Sequence, residues 1–335
     1  MLKPGLLVAL ALIISSCSAP VPLPQILPEG PGIATTLPDT PPTRGDPRLR
    51  RVPLDAIKFS VYQTGDSNDV GVTVTPELAS AYAAYDRHDV DAVVAAIDAL
   101  MARTTDPRTR FVALSLRFDA LAWLGRPADA EAAAEEVAKL ERALLGHELL
   151  ARSMRGLARM ALWDYDSALA DLARVVRAIG GWSMPTSFSG PPTNVFEFKS
   201  LGEAQMRAYG GIAWLHFLRK DYPAALRWAE ATEGLYNDVY YVLTLPYCFG
   251  CRASVGLGEG RAYNLAALGA ARGIVQKDPK AGVGALEEAQ RLFASIKSSQ
   301  GLAVVQAYRS MLAMELGHLE DAEKFAQEGE RIAAT

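Results

Sequence analysis

WDYDSALADLARV, residues 163–175, carries an aspartate, Asp164, at its start, turns helical, and sets a small residue, Ala168, in its apolar face. The same layout recurs along the chain. Val93 holds the equivalent place in HDVDAVVAAIDAL, Ala130 in GRPADAEAAAEEV and Ala225 in KDYPAALRWAEAT. Ala285 holds it in AGVGALEEAQRLF and Ala322 in GHLEDAEKFAQEG. Successive positions are 37, 38, 57, 60 and 37 residues apart. Removing an insert of about twenty residues from each long interval leaves one period near 37, and self-similarity of that length predicts stacked helix–turn–helix units. Each unit needs its small residue because two helix backbones approach to about 8–10 Å only where no large side chain intervenes.

Composition agrees with a large helical body. The chain has 335 residues, 50% of them hydrophobic and 21% charged, enough for an ample core. Its 34 Lys and Arg against 38 Asp and Glu give a net charge of −4, which argues against nucleic acid as the partner. Four His and three Cys leave little material for a metal site, and no cofactor is expected.

The units resemble the tetratricopeptide repeat. That family places a small residue at a tight contact in the first helix, then a turn with Tyr, then Ala where the helices cross. Gly156 with Tyr165 and Ala168 fits this best. Gly125 with Ala130, Tyr222 with Ala225, and Gly317 with Ala322 fit in part, and the units around Val93 and Ala285 depart from the pattern. Sel1-like repeats have a similar length, but their Gly-rich signature is absent. The resemblance covers residues 76–335. It implies an all-α, right-handed solenoid of about six helix pairs that binds other proteins. Trp123, Trp163, Trp214 and Trp228 are expected between repeats as core.

Two inserts interrupt the period. Residues 180–200, GGWSMPTSFSGPPTNVFEFKS, read as a loop carrying Trp182, Phe188, Phe196 and Phe198. Residues 237–260 carry Tyr240, Tyr241 and Tyr247, with a β-leaning stretch from Val239 to Leu245. Aromatic side chains on loops that project from a scaffold are candidate contacts. The alternative is that both inserts fold back and plug the superhelix groove. Cys248 and Cys251 form Cys-Phe-Gly-Cys, read first as a disulfide staple and otherwise as a redox pair or free thiols.

The first sixteen residues place one positive charge, Lys3, before the apolar run Leu6–Ile14, the anatomy of an export signal. Ile14-Ser15-Ser16-Cys17 resembles the bacterial lipobox. The resemblance implies cleavage before Cys17, acylation of that residue, and anchoring in the bacterial envelope, with the outer membrane favoured over the inner. Residues 17–53 follow as a tether holding ten of the twenty prolines, expected to be extended rather than packed. Residues 54–75 are expected to form a short hairpin or a strap against the first helix.

Motifs for catalysis are missing. There is no Gly-x-Ser-x-Gly elbow, no phosphate-binding Gly-Lys-Ser/Thr loop and no His-Glu-x-x-His helix, and His147-Glu148 lacks its second His. Gly256-Leu257-Gly258-Glu259-Gly260 resembles part of a dinucleotide fingerprint but reads better as a flexible end of the second insert. The expectation is a non-enzymatic, membrane-anchored periplasmic scaffold for envelope proteins. A solute- or glycan-binding lipoprotein using the insert aromatics is the alternative, and a thiol oxidoreductase using Cys248 and Cys251 comes third.

Overall fold

The computed structural model describes residues 37–42, 74–123, 126–180, 195–244 and 255–334; the side chains of 195–199, 238–244 and 255–257 lie outside that description. Among the described residues the chain is all-α, with twelve helices and no strand. In chain order they are α1 (Pro76–Asp86), α2 (Val90–Met101), α3 (Pro107–Trp123), α4 (Pro127–Leu145), α5 (Leu149–Ala161) and α6 (Tyr165–Ile179). Then come α7 (Val195–Leu218), α8 (Tyr222–Thr244), α9 (Val255–Gln276), α10 (Pro279–Ser295), α11 (Ser299–Glu315) and α12 (Leu319–Ala333).

Odd and even helices pack as six consecutive pairs, from α1 on α2 to α11 on α12. Each even helix from α2 to α10 also packs on the next odd one, and α5, α7, α9 and α11 touch in sequence. The crossing residues explain the close approach. Val93, Ala130, Ala168, Ala225, Ala285 and Ala322 are all buried. A methyl on Gly156 would come 2.8 Å from Leu172 Cδ2, so α5 and α6 meet where the sequence places a glycine. In the pair that departs from the pattern, the close contact moves to Gly269 and Gly282. A Cβ on Gly282 would lie 2.0 Å from the Gly269 carbonyl oxygen.

The turns recur as well. His88, Trp163, Lys220 and Lys277 adopt positive φ, and each is followed by an aspartate that caps the next helix. Asp89 accepts from Ala92 N at 3.1 Å, Asp164 from Ser167 N at 3.2 Å, Asp221 from Ala224 N at 3.2 Å and Asp278 from Lys280 N at 2.9 Å. A side-chain oxygen there satisfies one of the amides that a helix start leaves unpaired. Gly317, which fits the repeat pattern in part with Ala322, is the left-handed residue of the α11–α12 turn, with φ 80°.

Several expectations need correction. The first insert is shorter than its composition suggests, since α7 begins at Val195 and so includes Phe196 and Phe198. In the second, Val239–Thr244 belongs to α8 rather than a strand, and α9 begins at Val255. The backbone stays helical through Thr244 despite the local β preference of Val and Tyr. The Gly256–Gly260 stretch lies within α9, where a Cβ on Gly260 would come 2.6 Å from the Tyr236 hydroxyl, so the glycine makes room for α8. Trp228 is fully buried and Trp123 stacks on Tyr263, centroids 5.0 Å apart. Trp163, by contrast, is 78% exposed in its turn, and Trp214 is partly exposed.

Candidate functional site

Cys17, Trp182, Phe188, Tyr247, Cys248 and Cys251 lie outside the described residues. Phe196 and Phe198 fall in the first turn of α7, and Tyr240 and Tyr241 in the last two turns of α8, with side chains outside the description. The described residues instead bring together two sets of polar side chains that no motif in the sequence marks.

The first is an interior charge cluster. α3 and α9, three pairs apart in sequence, meet directly, and Trp123 on α3 stacks on Tyr263 of α9. Beside this contact Arg207 of α7 donates from Nη2 to Asp119 of α3 at 2.8 Å, both side chains being less than 10% exposed. Burial works against the Arg207 charge, but the carboxylates of Asp119 and Glu203 more than offset it and hold its pKa above the ordinary value. Its Nε and Nη1 have no hydrogen-bond partner among the described residues. Tyr85 of α1 donates to Glu259 Oε2 of α9 at 2.5 Å. Burial raises the Glu259 carboxyl to about 8, so it is largely protonated at neutral pH. Arg261 pairs with Glu233 of α8 and lies 3.6 Å from Glu288 of α10.

This cluster ties α1, α3, α7, α8, α9 and α10 together. Apart from Glu288, which is half-buried, its carboxyl and guanidinium groups are buried, so a solute would reach them only if helices separated. At the level of α3 and α9 the described side chains, Trp123 and Tyr263 among them, pack directly on one another. Lone charges amid apolar helical runs, such as Asp119 in RFDALAW and Arg207 in EAQMRAYGG, were the available signal.

The second set holds part of the proline-rich segment. Residues 37–42, Leu-Pro-Asp-Thr-Pro-Pro, lie against α7 and α8, contrary to the expectation of an unpacked tether throughout 17–53. The carbonyl oxygen of Pro38 is 2.9 Å from His216 Nε2 and accepts from Trp228 Nε1, also at 2.9 Å. Arg227 donates to the Asp39 carbonyl at 3.1 Å, and Leu37 packs on the main core. Both His216 and Trp228 are buried, and Trp228 is set edge-on against Tyr209.

Among the described residues no three His, Cys, Asp or Glu side chains are grouped to hold a metal ion, and no helix is long and apolar enough to cross a membrane. No protein-family model, curated protein or solved structure matches this chain.

Proposed function

We propose that this chain is a lipid-anchored envelope protein whose body is a tetratricopeptide-like solenoid of six helix pairs. It works as a non-catalytic scaffold for protein–protein interaction, facing the periplasm from the outer membrane. The observation that carries the reading is the ordered stack of six pairs, each with its crossing residue buried. A stack of similar units presents a long surface of regularly spaced helix faces and turns, which suits recognition of another chain better than conversion of a small substrate. Acylated Cys17 holds the body near the membrane and raises its effective concentration toward partners there. The insert aromatics Trp182, Phe188, Phe196, Phe198, Tyr240, Tyr241 and Tyr247 are its candidate contacts, and Cys248 and Cys251 staple the second insert.

The test is crosslinking in the cell with the full-length chain, followed by mass spectrometry. The control chain has residues 181–194 and 245–254 replaced by short Gly-Ser loops. One dominant envelope protein, lost in the control, is the expected result. Absence of any reproducible partner overturns the scaffold reading. Retention of fatty acid in a Cys17→Ser chain overturns the anchor.

A further inference from the structure

The contacts of residues 37–42 are one-sided in their chemistry. His216 Nε2, Trp228 Nε1 and Arg227 Nη2 all meet backbone carbonyl oxygens of the segment. A carbonyl oxygen only accepts, so His216 must carry its proton on Nε2. The Pro38 carbonyl thereby receives two donors from side chains that are themselves buried, 2% exposed for His216 and 0% for Trp228. Such a surface favours a peptide rich in acceptors and poor in N–H groups. Proline supplies that, because it keeps its carbonyl and has no N–H to leave unsatisfied. It also holds the residue before it extended, which lowers the entropy lost on docking. Three of the six docked residues are proline, and Leu37 adds one apolar anchor.

We infer that α7 and α8 form a binding site for an extended, proline-rich peptide, occupied in the free protein by the chain's own residues 37–42 and open to a partner segment of the same chemistry. This deepens the scaffold reading and rests on it: the partner's docking segment displaces the resident one. Occupancy in cis also shortens the tether. Between Cys17 and Leu37 lie 19 residues, which in polyproline II reach about 60 Å, against roughly 110 Å for the 35 residues between Cys17 and Pro53. Displacement therefore binds a partner and releases reach in one event.

The experiment uses the full chain with residues 37–42 replaced by alternating Gly and Ser, and a fluorescein-labelled peptide of residues 33–46 read by anisotropy. The replaced chain should bind the peptide saturably, and the native chain at least ten-fold more weakly, because its own segment competes at high effective concentration. Arg227→Ala in the replaced chain should weaken binding several-fold; this arginine is exposed, so the fold should tolerate its loss. A replaced chain that stays helical and melts cooperatively yet ignores the peptide overturns the inference, as does equal binding by both chains. If the replaced chain does not fold, Leu37→Asp in the native chain carries the same test, and peptide uptake no stronger than native overturns it. A cellular partner that is captured but unaffected by excess peptide sinks this inference alone. Peptide binding without any cellular partner sinks the scaffold reading and leaves the site standing.

Discussion

Asp171 on α6 sits among Arg152, Arg155 and Arg159 of α5, whose side chains keep between 19% and 23% of their surface in water. Arg155 and Arg159 also reach Glu135 and Glu131 on α4. Arg207 and Asp119 pair inside the molecule with 5% and 9% exposure, across helices 88 residues apart in sequence. The first cluster joins consecutive helices, and its arginines, though not the buried Asp171, can exchange a lost partner for water. The second joins α3 to α7, with three helices between them in sequence, and a lost partner there leaves a charge in low dielectric. Similar residue types thus have different consequences. The local cluster joins neighbouring helices, while the interior cluster joins helices far apart in sequence.

The comparison breaks first at Arg207. Arg207→Met should cost about 3–5 kcal/mol, because Asp119 is left buried and unpaired. The double variant Asp119→Leu/Arg207→Met should recover most of that, measured as the urea midpoint and slope. A single-variant loss under about 1 kcal/mol would mean that water reaches the interior after all.

Glu259 provides the next test, through pH. The folded chain holds this proton more tightly than the unfolded one, since burial raises the carboxyl from 4.5 to about 8. The stability it contributes is complete below pH 4.5, falls between 4.5 and 8, and is gone above about 8. The full span is on the order of 4–5 kcal/mol. Glu259→Gln keeps an acceptor for Tyr85 without the titration. Its stability relative to native should therefore rise between pH 5 and pH 8.5 in paired urea titrations. A difference that does not change with pH would show the carboxyl to be solvated.

Asp171→Asn should cost less, about 1–2 kcal/mol, because its three arginines remain partly hydrated. A loss as large as that of Arg207→Met would erase the distinction between the clusters. Salt gives the smallest effect. At 1 M NaCl, where the screening length is about 3 Å, the cost of Asp171→Asn should shrink by a few tenths of a kcal/mol, while that of Arg207→Met stays constant.

Much of the architecture was legible from local chemistry. A period near 37 residues, an aspartate at several helix starts and a small residue at most crossings are short-range requirements, and Asp164, Ala168 and Gly156 meet them. Insert boundaries were less legible, because Val239–Thr244 has β-forming composition yet continues the α8 helix. Trp163 misled for a related reason. Its residue type suggests core, but its place in the repeated left-handed turn puts the ring in solvent.

The candidate sites were far less visible. Nothing in the spacing of Tyr85, Asp119, Arg207 and Glu259 indicates that they meet, because separations of up to 174 residues lie far beyond the reach of helical periodicity. Nor does a proline-rich run announce where it docks. The sequence by itself determined the helices, their pairing and the turns, since each depends on residues within one period. Only the tertiary structure decided which charges lose their water and which donors meet the Pro38 carbonyl, because both follow from the angles at which successive pairs pack.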